Sequence, residues 1–179
     1  MHLRKALTTD ADGIAAVRVA GWRHAYAGLM PAEYLASLSE PDDAARHRTR
    51  LSLPGPSHDL VAVEDDGGVA GWASWGPYRD GERRTADAEL YALYLLPRLI
   101  GTGLGRRLTQ EVCEAAARTG AARLFLWVVE ENTRARRFYR RAGFAPDGAR
   151  DPFEVGGRSL TDLRCVRDLQ GGAAGPNHP

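Results

Sequence analysis

The segment Leu93-Tyr94-Leu95-Leu96-Pro97-Arg98-Leu99-Ile100-Gly101-Thr102-Gly103-Leu104-Gly105-Arg106-Arg107 is an apolar run that empties into a glycine-rich turn at the head of a helical pattern. Glycine at 101, 103 and 105 strips side chains from three alternate positions, so backbone N–H groups can approach a ligand closely and point at it. The positive end of a helix dipole adds to their field, and the chemistry that suits both is an anion such as a phosphate or pyrophosphate. Neither familiar nucleotide loop fits. The dinucleotide fingerprint requires G-x-G-x-x-G and the triphosphate loop a Gly-Lys-Ser/Thr ending, whereas this chain reads G-T-G-L-G-R. Three glycines alone are also compatible with a tight turn that holds no ligand.

A second cluster lies one helix and one strand further on. Asn132-Thr133-Arg134-Ala135-Arg136-Arg137-Phe138-Tyr139-Arg140-Arg141-Ala142-Gly143-Phe144 reads as a helix opened by Asn132, carrying a Phe-Tyr pair and closed by Gly143. Arg98-Leu99-Ile100-Gly101-Thr102-Gly103 after an apolar strand resembles the acyl-CoA loop of the GNAT superfamily of N-acetyltransferases, Gln/Arg-x-x-Gly-x-Gly/Ala. The second cluster resembles that superfamily's second signature. Two motifs in this order are far more specific than either alone, and the resemblance covers residues 88–144 well.

The resemblance implies an α/β fold: a mixed, mostly antiparallel central sheet of six or seven strands, flanked by four or five helices. It implies two central parallel strands, Ala88 to Leu96 and Leu124 to Val129, that splay apart so that acetyl-CoA lies in the gap as cosubstrate. Backbone near Leu93, Tyr94 and Leu95 would pair with the pantetheine arm. Arg98, Ile100, Gly101, Thr102, Gly103, Leu104, Gly105 and Arg106 would hold the pyrophosphate, with Asn132 and Arg136 beside the arm. The chain departs from the family pattern at Ile100 and Thr102, where Arg or Gln and a basic residue are frequent. Pyrophosphate binding would then rest more on backbone N–H groups, with Arg106 and Arg107 as nearby charge.

Acetyl transfer from a thioester to an amine needs a neutral amine, a polarised carbonyl and a proton for the departing thiolate. Tyr139 matches the family's general-acid tyrosine, and a phenol of pKa about 10 is protonated at neutral pH; the alternative is a ring that only packs. Glu89 matches the position where some members carry a glutamate base, against the alternative of a solvent-facing carboxylate. Asn132 either caps its helix alone or also touches the cofactor. Neither a metal nor a covalent intermediate is required. For the acceptor, Trp22 and Tyr26 stand four apart on one helical face, and Trp75 follows a strand pattern; all three are candidate substrate contacts that could equally be core. His24 and His47 sit amid helical charge and read as surface residues.

The elements that must position these groups follow from pattern. Leu3 to Leu7 reads as a strand, followed by a helix from about Thr8 to Ala27, then short helices opened by Pro31 and Pro41. Leu60 to Val63 and Val69 to Trp75 flank Asp65-Asp66-Gly67-Gly68 and read as a hairpin. Gly76 to Asp87 is polar and turn-rich and is expected to be a mobile loop, its arginines at 79, 83 and 84 forming a lid that would favour a carboxylate-bearing acceptor. Leu104 to Thr119 carries a helical stripe, and after Phe144 two strands flank Gly156-Gly157. One domain over residues 1–169 is expected, with 170–179 a frayed tail.

Composition bounds the rest. The 179 residues and 44% hydrophobic content suit one domain, and 24 basic against 23 acidic residues leave +1, which implies neither nucleic acid nor an anionic membrane as partner. No window approaches the roughly 18 apolar residues of a membrane span, and the N-terminus lacks an apolar targeting core, so a cytoplasmic protein is expected. Cys113 and Cys165 show neither metal nor disulfide spacing and are expected to be buried thiols. The expected activity is transfer of acetyl to a primary amine of a small molecule or protein, by a chain that is a homodimer by family analogy. The rival readings are a non-catalytic acyl-CoA sensor and a nucleotide-binding regulatory domain.

Overall fold

The computed structural model describes residues 1–81 and 83–170. The chain runs β1 (His2–Lys5), α1 (Ala11–Ala25), α2 (Ala32–Ala36), α3 (Glu40–Ser52), β2 (His58–Val63), β3 (Val69–Asp80), β4 (Arg83–Leu95), α4 (Leu104–Arg118), β5 (Arg123–Val129), α5 (Thr133–Arg141), β6 (Ala145–Val155) and β7 (Arg158–Asp168). All seven strands join one sheet in the order β1-β2-β3-β4-β5-β7-β6. Only β4 and β5 are parallel, and they pair at just two positions, Ala88 with Leu124 and Glu89 with Phe125.

Local chemistry explains the helix boundaries. The Asp10 carboxylate accepts the Leu7 N–H at 2.7 Å and a two-pronged pair of bonds from Arg4, which lowers its pKa and ties β1 to the start of α1. The Ser39 hydroxyl caps α3, with Pro41 in its first turn. Asn132 Oδ1 accepts the Ala135 N–H at 3.0 Å and opens α5.

The sheet buries both faces. The larger core packs Leu104, Leu108, Val112 and Cys113 of α4 against Leu90, Leu124, Leu126 and Cys165. On the opposite face Ile14 and Val17 of α1 meet Val61, Val63 and Trp72. A smaller cluster of Met30, Leu35, Val129 and Leu160 lies beside it. Cys113 and Cys165 are buried free thiols. Among the described residues no helix is long and apolar enough to cross a membrane.

Two expectations are corrected. Residues 76–80 and 83–87 are strand, not loop: Gly76 pairs with Glu89, Pro77 with Ala88, Arg79 with Arg84 and Asp80 with Arg83, so β3 and β4 run on as a ribbon. Beyond the helical cover much of such a ribbon faces solvent, so its strands lose the alternation that marks a half-buried one. His47 is not a surface residue. It is buried, its ring meeting Trp72 edge-on at 4.8 Å, and burial lowers its pKa. His24 is exposed as expected.

Candidate active site

The parallel pair opens just where β4 carries a bulge. Leu90 faces Trp75 and Ala92 faces Ser74 on β3, which leaves Tyr91 as an extra residue in β4. The bulge turns the Tyr91 ring into the cavity, where its hydroxyl donates to the Pro77 carbonyl at 2.6 Å. From Leu90 to Leu95, β4 keeps β3 on one side and has no strand on the other, so backbone N–H and C=O groups of this stretch border the gap. Leu93 and Leu95 send their side chains into the α4 core, while Tyr94 packs on Trp72 and under α1. The expected splay is present at the expected pair of strands.

The glycine turn sits at the mouth of this gap. Gly101 and Gly103 have φ of 89° and 91°, and a Cβ at either would meet nothing within 4 Å. Thr102 N–H donates to Leu99 and the first bond into α4 runs from Arg107 to Gly103. The N–H groups of Gly101, Gly103, Leu104, Gly105 and Arg106 therefore have no protein acceptor among the described residues, and the space over the two left-handed glycines is open. A helix N-terminus with this cradle fits a pyrophosphate. Gly105 has a further reason to be small: a Cβ there would lie 3.3 Å from the Phe138 ring of α5.

The side chains expected to assist differ in readiness. Ile100 and Arg106 are exposed beside the turn, and Leu104 is buried beneath it. Arg98 is bound through both guanidinium nitrogens to Glu64, so its charge is already engaged. Arg136 donates to the Glu130 carbonyl at 2.9 Å. Asn132 is buried and caps α5, and its amide NH2 has no protein acceptor among the described residues.

Tyr139 on α5 packs edge-on between Phe138 and Phe144, at 5.1 and 5.9 Å. Burial raises the pKa of its phenol, with Tyr26 and Cys165 adding to the shift. Burial also raises Tyr94 well above the usual phenol value, and Tyr26 and Tyr139 lie close enough to contribute. Three protonated phenols, from α1, β4 and α5, thus gather around the gap.

Beside them a cavity of 690 Å³ is walled by Trp22, Tyr26 and Tyr94 on one side and by Trp127, Phe153 and Asp162 on the other. Trp22 and Tyr26 pack in a tilted arrangement at 4.9 Å and Trp22 reaches Tyr94 at 6.5 Å, so the expected aromatics at 22 and 26 do line it. Trp75 does not. Strand alternation along β3 puts it on the same face as Ala73 and opposite Trp72, where it is buried in the α4 core and stacks on His58 at 4.3 Å.

Glu89 lines the cavity as expected, but it is buried and engaged. One oxygen accepts the Arg79 backbone N–H at 3.2 Å, the other its guanidinium at 3.1 Å, and Arg79 in turn lies over the Tyr91 ring at 4.4 Å. Both Glu89 oxygens are thus already engaged by donors of Arg79. The same bonds commit Arg79 to the wall, so it does not act as a lid.

Sequence reasoning passed over the cavity's far wall. Asp162 and Arg164 of β7 face Val129 and Trp127 of β5, and Asp151 of β6 pairs with Asp162. In sequence they are the polar half of an alternating strand, which reads as a solvent face. Arg164 covers the Phe125 and Trp127 rings and bonds to Asp147 and Tyr78. Asp162 accepts no hydrogen bond from any described residue; burial, with Asp151 and Glu131 nearby, pushes its pKa up to about 6.

Comparison with known proteins agrees with this architecture. The model of the acetyltransferase (GNAT) family matches residues 22–144. YuaI of Bacillus subtilis, an uncharacterized N-acetyltransferase, is 36% identical over 162 residues, covering 90% of this chain and 89% of the relative. Among solved structures, the PaiA N-acetyltransferase of Thermoplasma acidophilum in complex with coenzyme A superposes with a TM-score of 0.70 at 22% identity, covering 93% of this chain and 98% of the other. The yncA protein of Salmonella typhimurium with its cofactor acetyl-CoA superposes with 0.71 at 24% identity, covering 98% of each chain. The splayed strands, the glycine turn and α5 coincide with a family match over most of the chain, and the chain belongs to the GNAT family of N-acetyltransferases.

Proposed function

We infer that this protein moves the acetyl group of acetyl-CoA directly to a primary amine, with the pantetheine arm between β4 and β5 and Tyr139 serving the sulfur. The observation that carries this reading is the row of unpartnered N–H groups at Gly101 and 103–106, continuous with the open edge of β4. Acetyl-CoA supplies a thioester carbonyl open to nucleophilic attack. The N–H groups of Gly101, Gly103, Leu104, Gly105 and Arg106 bind and orient its pyrophosphate, with Arg106 adding charge. Thr102, Arg98 and Ile100 border that cradle. The β4 backbone near Leu93, Tyr94 and Leu95 holds the arm, and Asn132 and Arg136 stand beside it. Tyr139, whose raised pKa keeps it protonated throughout the working pH range, donates its hydrogen bond to the developing thiolate. Trp22 and Tyr26 receive the acceptor, whose excess proton passes to a carboxylate of the cavity.

Calorimetric titration with acetyl-CoA tests the reading. Saturable binding is expected for the wild type and its loss in Gly103→Glu, which sets a carboxylate in the cradle. Far-UV circular dichroism of Gly103→Glu, expected to match the wild type, is the folding control. Absence of binding by the wild type would refute the enzyme reading.

A further inference from the structure

The cavity's charges are not balanced. Arg79 is committed to Glu89, Arg150 to Glu130, and Arg164 to Asp147 and Tyr78. Asp151 and Asp162 have no cationic partner among the described residues. The wall that remains unneutralised is therefore acidic, and it lies opposite the aromatic wall of Trp22 and Tyr26. A ligand that fits brings a positive charge and an apolar body, and none of the arginines that line the cavity is free for a carboxylate beside its amine.

Resting on the acetyl-transfer reading, we propose that the acceptor is a cationic amine without an adjacent carboxylate, and that Asp162 is both its counter-ion and its proton acceptor, while Glu89 serves to anchor Arg79. Position supports this. Asp162 lines the same cavity as Glu89 and Tyr94, and it interacts electrostatically with Tyr26, which in turn reaches Tyr94 and Tyr139. The carboxylate and the Tyr139 phenol thus share Tyr26 as a common neighbour. The groups that face Asp162 are Asp151 from β6, Glu131 after β5, Tyr26 from the end of α1, and Arg150 and Arg164 on the same wall.

The proton balance is complete without another reagent. The bound ammonium gives one proton to the Asp162 carboxylate, leaving a neutral amine. Its lone pair forms the C–N bond at the thioester carbonyl and the C–S bond breaks. The second nitrogen proton replaces the one Tyr139 donates to sulfur, and Asp162 returns its own to solvent. A base that titrates near 6 is about nine-tenths ionised at pH 7 and still basic enough to take a proton, the compromise that general-base catalysis favours.

Thiol release from acetyl-CoA, measured with matched amines on the full chain, tests this. 2-Phenylethylamine and n-pentylamine are expected to be acetylated with kcat/KM at least tenfold above L-phenylalanine and L-norleucine, which differ by the α-carboxylate. Asp162→Asn should lower kcat/KM for 2-phenylethylamine by about 10²–10⁴-fold. It should also remove the acidic limb of the pH profile, leave acetyl-CoA affinity within about twofold, and be partly rescued by Asp162→Glu. Glu89→Gln should retain that limb. Turnover of the amino acids at or above the amines, an unchanged profile in Asp162→Asn, or failure of either amine to bind the acetyl-CoA complex would overturn the proposal. Those results with acetyl-CoA binding intact leave the transferase reading standing, whereas loss of acetyl-CoA binding by the wild type refutes that reading itself.

Discussion

Replacing Asp162 by Asn should stabilise the protein in a pH-dependent way, a consequence independent of any substrate. The carboxyl titrates near 3.8 in the unfolded chain and at about 6 in the fold. Below the lower value both states are protonated and the group costs nothing. As pH rises through the upper value the folded state must carry a desolvated charge, so folding stability is lost across that window. At 1.36 kcal/mol per unit the full shift is worth about 3 kcal/mol, and partial exposure of the side chain screens this to about 1–2 kcal/mol. Asparagine keeps the shape and sacrifices no bond, because Asp162 accepts none among the described residues. The advantage of Asp162→Asn over the wild type should therefore be small at pH 4 and reach about 1–2 kcal/mol at pH 7.5, or about 2–8 °C in Tm for a domain of this size. Urea unfolding at both pH values measures the difference between the two proteins, which cancels every other titrating group. A difference that does not vary with pH, or an Asn variant less stable at pH 7.5, would refute the reasoning.

Tyr139→Phe should lower kcat by about 10²–10⁴-fold while acetyl-CoA binds as before; equal kcat would remove the phenol from the chemistry. Gly103→Glu should abolish acetyl-CoA binding in calorimetry while its circular dichroism stays that of the wild type. Trp75→Ala should cost about 3–5 kcal/mol in denaturant unfolding, as expected for a buried tryptophan. At temperatures where that variant stays folded, KM for the amine should be unchanged; a raised KM would return Trp75 to the substrate site. Glu89→Gln should weaken the hold on Arg79 and lower activity without moving the acidic limb of the pH profile.

The sequence alone determined the order of the elements and the glycine turn at the head of α4, and its two motifs carried the family resemblance, for a physical reason. A glycine turn feeding a helix, an Asn cap and a Phe-Tyr pair are local in the chain, and what they do depends mainly on the backbone they impose. The parallel strands that frame the gap were equally legible, since Ala88 to Leu96 and Leu124 to Val129 are apolar runs joined through a helix. Only the tertiary structure decided which side chains share the cavity. One bulge at Tyr91 inverts β4, so that the α4 core takes Ala88 and Leu90 before it but Leu93 and Leu95 after it, because strand period is two and a single extra residue reverses the faces. Residues 76–80 and 83–87 extend two strands as a ribbon whose composition reads as loop. Glu89 and Arg79, ten residues apart in the chain, neutralise each other across that ribbon. Asp162 becomes distinctive only when β7 docks beside β5 and brings it opposite α1, where its surroundings offer no cation. Which carboxylate is engaged and which is free depends on long-range contacts, and no spacing along the chain encodes it.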